Sequence, residues 1–398
     1  MKKLFLLLTS AALIAAAASC NKAESPVEQS EEAEYTEVTF NVNVDGVDVQ
    51  TRASTGAGDL TGVESENKLT TVDIFVFENN MPEKIAAYKQ YDNNRIVAEG
   101  GMTMKLKTNV QYNVYAIANA NLENVADITT SGDLMSTVFP LSWDHENLVD
   151  DAGLQMMGSA GEPKTFTADE NTLSIPVKRI AARVRLVKVT NNLPAAAGDV
   201  TIKNVFLSNV AGEWSDSEEF KCEEWYNKYG RTLDKIQNDI DGGTIYKFPF
   251  VNADNAECDN ATFKSLTTDD NEVKIEAAGS YTTPVSLYCY ANNSTVVPAG
   301  FYNGYGTWKA FAGQHTMLVV ETLIGSETYY YPIDLNKRIN ANNNDANVGI
   351  ERNKSYDVSL TINNYGTSEP NEEISTLTAG YTVTVGNWDD GGTIDADF

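Results

Sequence analysis

The clearest chemical signal in this 398-residue sequence is a place where the chain can be cut. Thr51-Arg52-Ala53 closes the stretch YTEVTFNVNVDGVDVQTRA of residues 35–53 and is followed by a Gly-rich run over 54–62, the exposed, flexible kind of segment that proteases reach. Catalytic chemistry is thinly supplied. The only histidines are His145 and His315; neither belongs to an H-E-x-x-H pattern, and His315 opens an alternating run, so a zinc-hydrolase site is not expected. There is no G-x-S-x-G elbow, since Ser159 stands in GSAG, and Gly56, Gly58 and Gly62 lack the Lys-Ser/Thr that completes a phosphate loop. Asn343, Asp345, Asn347 and Glu351 offer oxygen ligands of the kind calcium takes. Gly349, however, is displaced from where an EF-hand turn needs it, and a solvated Asn-rich turn is the better reading. No enzyme activity, metal or cofactor is expected.

The first residues set the compartment. Lys2 and Lys3 precede an apolar run over residues 4–18, and Ala17, Ala18 and Ser19 lead into Cys20, the layout of a secretory signal too short to span a membrane. A cysteine directly after such a small-residue site resembles a bacterial lipobox and implies that Cys20 becomes the lipid-modified N-terminus. Each buried methylene adds roughly 0.8 kcal/mol, so several acyl chains would hold the precursor firmly on the outer membrane. Residues 21–34 are polar and acidic and read as a solvated tether. Beyond Cys20 remain Cys222, Cys258 and Cys289, an odd count that excludes full intramolecular pairing. Cys289, inside the apolar run 285–291, reads as a buried thiol, while Cys222 and Cys258 stay open between a disulfide and two thiols.

The net charge of −27 and a pI near 4.4 oppose nucleic-acid partners, which are themselves polyanions. Abundant tyrosine (19) and scarce proline (11) suit strands better than disorder. Val38, Phe40, Val42 and Val44 alternate with polar residues, with Val47 and Val49 beyond Asp45-Gly46, which predicts a strand with one buried face and a hairpin after it. Further short runs at 71–77, 102–106, 110–118, 156–159, 200–210, 285–291, 315–324, 328–335 and 350–362 predict strands, with Gly325-Ser326-Glu327 as a compact hairpin signal. Residues 119–161 read as a long acidic surface excursion with one helical turn near 132–137. Residues 172–190 carry the junction between two halves: Leu173, Ile175 and Val177 end one strand, and Ile180, Val184, Leu186 and Val187 begin another. The basic residues there, Lys178, Arg179, Arg183 and Arg185, are expected to pair with Asp or Glu across the junction. Residues 218–240 are the best helical candidate, but Gly230 interrupts them and their apolar spacing is irregular. The extreme C-terminus offers a second alternating strand, Tyr381-Thr-Val-Thr-Val-Gly-Asn-Trp388.

These features form one hypothesis. Excising the first strand exposes a groove at a cost of roughly 1.5–3 kcal/mol for each inward apolar side chain, so another strand must refill it, and a neighbour's free tail is the candidate. Several segments together resemble the fimbrillin family of type V pili, lipoprotein-derived fimbrial subunits of Bacteroidales-type bacteria. They are the Cys20 lipobox, the strand ending at Arg52-Ala53, the junction 175–183, the strand LYCYAN at 287–292, the run RNKSYDVSL at 352–360 and the tail over 383–388. The resemblance covers most of the chain.

It implies an all-β fold of two β-sandwich, transthyretin-like domains. It also implies export as an acylated precursor, removal of the first strand by an arginine-specific protease acting between Arg52 and Ala53, and polymerisation by strand exchange. The expected division is signal peptide 1–20, propeptide and first strand 21–52, sandwiches 53–178 and 179–380, and donor tail 381–398 with Tyr381, Val383, Val385 and Trp388. Copies of the chain itself and related pilins are the expected partners, in a cell-surface fimbria that supports adhesion as shaft or accessory subunit. The competing expectation is a non-polymerising surface lipoprotein that binds glycans, with Tyr329, Tyr330 and Tyr331 and the aromatic stretch 301–311 as stacking platforms.

Overall fold

Alternation becomes strand wherever one face has a core to meet. A computed structural model describes residues 34–45, 66–97, 101–168, 171–222, 225–226, 259–267, 272–293, 299–303, 307–311, 315–339, 345–347, 349–368, 370, 374 and 379–388. In β1 (Tyr35–Val44), Thr36, Val38, Phe40, Val42 and Val44 are buried while Glu37 and Asn41 face solvent. Then follow β2 (Thr71–Glu78), β3 (Lys84–Asp92), β4 (Met102–Lys107), β5 (Gln111–Ala118), β6 (Met156–Ser159) and β7 (Thr172–Arg179). They form one sheet in the order β3-β2-β5-β6-β7-β1-β4, to which Lys164–Thr165 adds a short pairing with β5. The sheet curls until its two end strands meet: Tyr91 Oη and Lys89 Nζ of β3 donate to the Thr103 carbonyl of β4 at 2.6 and 3.3 Å. Inside lies a core of Val38, Phe40, Val42, Val72, Ile74, Val114 and Ile175, among others.

β2 is apolar on both faces for a reason. Val72, Ile74 and Val76 point into that core, while Phe75 and Phe77 point outward and are covered by the excursion over 119–155, through Ile128, Leu134, Phe139 and Leu141. The excursion contains the expected helical turn (Ser131–Met135), closed by a capping box between Thr130 and Asp133, and a helix α1 (Leu141–Val149). β3 was not legible in the sequence. It is an edge strand exposed along most of its length, so its side chains carry no period-two contrast.

The second half supplies two further sheets. β8 (Ala182–Asn191) pairs with β10 (Val285–Cys289) and with Ser280–Tyr281 on one side, and in parallel with β13 (Lys354–Ile362) on the other; β14 (Ala379–Asn387) closes that sheet against β13. The second sheet centres on β9 (Val200–Ser208) and β11 (Met317–Ile324), with β12 (Glu327–Asp334) at its edge. Leu186 and Leu360 of one sheet meet Ile202, Val205 and Val320 of the other in a common core, a sandwich-like packing. The expected hairpin is present, with Gly325 at φ 66° where a side chain would be strained. One inward assignment is corrected: Val187 falls at a bulge between Leu186 and Lys188, so it is only half-buried and Val189 takes the core position.

Candidate functional site

The slot that holds β1 is built by its two neighbours. β1 runs parallel to β7, with Phe40, Val42 and Val44 beside Leu173, Ile175 and Val177, and antiparallel to β4, with Val38 beside Met104 and Phe40 beside Met102. Among the described residues β1 is the only strand that pairs with β4. Four large apolar side chains of β1, namely Val38, Phe40, Val42 and Val44, are 8% exposed or less. At roughly 1.5–3 kcal/mol each, their removal alone approaches the net stability of a typical domain, so an empty slot is not a stable state. Where β1 leaves the slot, the Asp45 amide donates to the Val177 carbonyl at 2.7 Å and Lys178 reaches Asp45 at 3.7 Å. That ion pair is solvent-exposed and contributes little. Cys20, Arg52 and Ala53, and the hairpin expected after Val44, lie outside the described residues.

The tail is placed differently. β14 is an edge strand, held by one antiparallel ladder in which Tyr381, Val383 and Val385 oppose Leu360, Val358 and Tyr356. Ala379 and Val383 are buried in the sandwich core, and Tyr381 and Val385 pack against it half-buried. Trp388 has the opposite parity. It stands one residue past the strand on the sheet's other face, in line with a row that register creates: Tyr288 opposite Arg183, Arg183 beside Ser355.

On that row a buried cage forms around Trp388, which is 3% exposed. Its indole Nε1 donates to Glu66 Oε2 at 2.8 Å, and its carbonyl accepts from Arg183 Nη2 at 2.9 Å. The ring stacks on Tyr288 at 6.0 Å, with the guanidinium carbons of Arg179 and Arg183 at 4.8 and 5.0 Å from its centroid. Glu66, 1% exposed, is the hub: it also accepts from Arg183 Nη1 and from Tyr288 Oη, both at 2.7 Å. Burial and the adjacent Glu66 carboxylate push the Tyr288 phenol well above its ordinary value. Arg179 donates to the Glu66 carbonyl at 3.3 Å, to Asn353 Oδ1 at 2.9 Å and to Asn67.

Asn119 holds the segment between Glu66 and β2 in place. Its Oδ1 accepts from the Thr70 amide at 2.8 Å, and its Nδ2 donates to the carbonyls of Lys68 and Leu154 at 2.7 and 2.9 Å. Of the basic cluster, Arg183 pairs with Glu66 across the junction as expected, whereas Arg185 pairs with Asp357 and Lys178 with Asp45 each within its own half. Arg179 bonds to amide groups and lies over the Trp388 ring. Sequence reasoning missed Glu66: one acid in the polar run GVESENK carries no periodic signal.

A second buried acid ties the excursion to the other half. Asp144 of α1 accepts from the Gln155 amide at 2.7 Å and from Tyr290 Oη at 2.9 Å, and burial raises its pKa to about 7. The folded chain thus holds this proton more tightly than the unfolded one, whose carboxyl ionises near 3.8. Its contribution is full below that value and is lost as pH rises towards about 7. Asp144→Asn is expected to abolish this part of the pH dependence and to raise stability relative to the parent chain at pH 7 and above, read as the difference in Tm between the two across pH 4–9.

The remaining candidates find structural places. His315 is fully buried with Nδ1 2.7 Å from Asp334 Oδ2. Cys289 is a buried thiol whose pKa burial pushes up to about 12, and Cys258 lies outside the described residues. Of the three tyrosines, Tyr331 is buried and donates to the Asn364 carbonyl, while Tyr329 stacks on exposed Tyr365 at 5.1 Å. In the aromatic stretch, Ala299–Asn303 pairs with Thr307–Phe311, and 304–306 lie outside the described residues. Asp345–Asn347 is a short strand, and among the described residues no group of three or more His, Cys, Asp or Glu is arranged to hold a metal. Most of the helical candidate 218–240 is outside the described residues; within its described part, Trp225–Tyr226 forms a two-residue strand against Val210–Ala211. Among the described residues no helix is long and apolar enough to cross a membrane.

The curled first sheet, followed by the sandwich-like pair of sheets, defines an all-β protein. Residues 36–205, from β1 into β9, match the family described as major fimbrial subunit protein (FimA). The resemblance read from the sequence therefore holds, and it points to a structural role in a cell-surface fimbria, the family being one of fimbrial subunits and not of enzymes. The same overall fold recurs in solved structures. A candidate cell adhesion protein of Parabacteroides distasonis has 17% identity, with 89% of this chain and 100% of that one covered at a TM-score of 0.56. One from Bacteroides eggerthii has 18% identity, 89% and 97% coverage and a TM-score of 0.56. A fimbrilin of Porphyromonas gingivalis has 15% identity, 89% and 97% coverage and a TM-score of 0.52. None of the curated proteins compared matches the chain.

Proposed function

We propose that the chain is a shaft or accessory subunit of a type V fimbria, exported as a lipoprotein acylated at Cys20 and cut between Arg52 and Ala53 by an arginine-specific protease. The cut chain, two transthyretin-like sandwiches over 53–178 and 179–380, polymerises by strand exchange. Tyr381, Val383 and Val385 of one copy then occupy the slot that Phe40, Val42 and Val44 leave in the next. The observation that carries this reading is the position of β1. It is inserted between two strands, is buried on one face and ends next to the segment that contains the cut. A tail strand of nine residues matches a slot strand of ten in length and in apolar alternation. Main-chain hydrogen bonds supply the affinity and alternate side chains the specificity. Because donor and acceptor are different surfaces, the contact does not close and builds a filament. The solved relatives described as candidate cell adhesion proteins suit a role in adhesion.

The competing reading, a glycan-binding lipoprotein that stays monomeric, draws on one observation: β14 pairs within its own chain. The test is direct. The chain over 21–398, treated with an arginine-specific protease, is expected to give SDS-resistant ladders, and the same chain without 381–398 only folded monomer. Ladders from the truncated chain would rule the tail out as donor.

A further inference from the structure

If the tail of one copy serves another, something must first hold it on its own. The ladder on β13 is a weak hold, because an edge strand can fray one pair at a time and two of its inward side chains, Tyr381 and Val385, are only half-buried. The cage is a much stronger one. From the strand-exchange reading above, the geometry points to Trp388 and its cage, centred on Glu66, as the latch that keeps the tail docked on its own chain and sets how readily it is released to a second copy.

Three observations support the latch. First, the cage grips the tail by side chain and main chain together: Glu66 accepts from the indole N–H and Arg183 donates to the Trp388 carbonyl, while Tyr288 and the two guanidiniums enclose the ring. Second, Trp388 lies outside the apolar row Tyr381, Val383, Val385 that matches the slot. Its anchoring is thus a separate function from filling a groove, and it can be opened without altering the donor face. Third, Glu66 stands 13 residues beyond Ala53 in sequence and five before Thr71, where β2 begins. The same carboxylate that holds the tail therefore belongs to the segment that becomes the new N-terminal arm once the chain is cut. After the cut that arm is tied to the body by the Asn119 contacts to Lys68 and Thr70 and by the bonds that Glu66 itself makes to Arg183 and Tyr288. The cut thus creates a chain end close in sequence to the hub of the latch at the moment the acceptor slot opens.

Two conservative variants test this. Trp388→Phe keeps the ring and its stacking but removes the N–H donor; Glu66→Gln keeps the shape and removes the charge that Arg183 and the indole share. In the uncut chain, amide hydrogen exchange over 379–387 is expected to speed up by about tenfold or more in both, the loss of one hydrogen bond to a charged acceptor. Exchange over β11 in the sandwich core serves as control and is expected to stay unchanged. After arginine-specific cleavage both variants are expected to form ladders faster than the parent chain. Unchanged exchange over 379–387, or ladders no faster than the parent's despite a loosened tail, overturns the latch and leaves the subunit reading intact. A parent chain that never forms ladders after cleavage overturns the subunit reading, and the latch with it.

Discussion

Truncating Phe40 to alanine is expected to cost the uncut chain about 3–5 kcal/mol, yet to leave the assembled, cut chain unchanged. The first half follows from packing. The ring is 1% exposed in the centre of β1, beside Met102 on one side and Leu173 on the other, and large-to-small changes at such sites lose transfer free energy and leave a cavity. The second half follows from the proposed processing, since a chain that begins at Ala53 no longer contains residue 40. Urea unfolding of the uncut Phe40→Ala chain, compared with ladder stability after cleavage, gives the two readings. Asn41→Ala, on the exposed face of the same strand, is the control and should stay within about 0.5 kcal/mol of the parent. An equal loss of stability before and after cleavage would mean that β1 remains in its slot in the fibre.

Gly158→Ala should be nearly as damaging, through the wall of the slot and not its occupant. A Cβ on Gly158 of β6 would sit 1.9 Å from the Pro176 carbonyl oxygen and 2.9 Å from Val177 Cα in β7. Both are main-chain atoms in the sheet interior, so no side-chain rotation relieves the clash and the two strands must separate. Overpacking of this kind costs about 3 kcal/mol. Pro176 also neighbours Asn43 of β1 in the parallel ladder, so a displaced β7 loosens β1 as well. Denaturant unfolding measures the loss, and hydrogen exchange over β1 should quicken beyond that of β11. A loss below about 1 kcal/mol would show that β7 can shift without cost.

What the sequence disclosed is what period-two contrast can express. β1, the Gly325-Ser326 hairpin and the change of strand between Arg179 and Ala182 could all be read from residue order, because each has one buried face or a turn with a steric requirement. β3 could not, being an edge strand with almost no inward face, nor could the bulge at Val187, where the ladder slips by one residue. The tail strand and the inward alternation of Tyr381, Val383 and Val385 were legible residue by residue. The cage was not: it arises from the register of strands more than a hundred residues apart, Arg183 with Ser355 and Tyr288, and from an isolated Glu66 brought over them by the Asn119 contacts. Trp388 ends the alternating run in sequence, yet its parity sets it on the opposite face of the sheet from Tyr381, Val383 and Val385. Arg183 was recognised as one half of an ion pair, but composition could not name its partner.

The two berths proposed for a tail strand differ in how they yield to force. On its own chain β14 lies at the rim of a sheet, where a pull across the strand breaks one pair after another, like a zipper, once the tryptophan plug is out. In the seat of β1 a strand is bonded on both flanks, and tension along a fibre would load those bonds all at once, in shear. A tail that moves from the first berth to the second therefore passes from a joint made to open to one made to carry load, and the thread it joins would grow easily and resist being pulled apart.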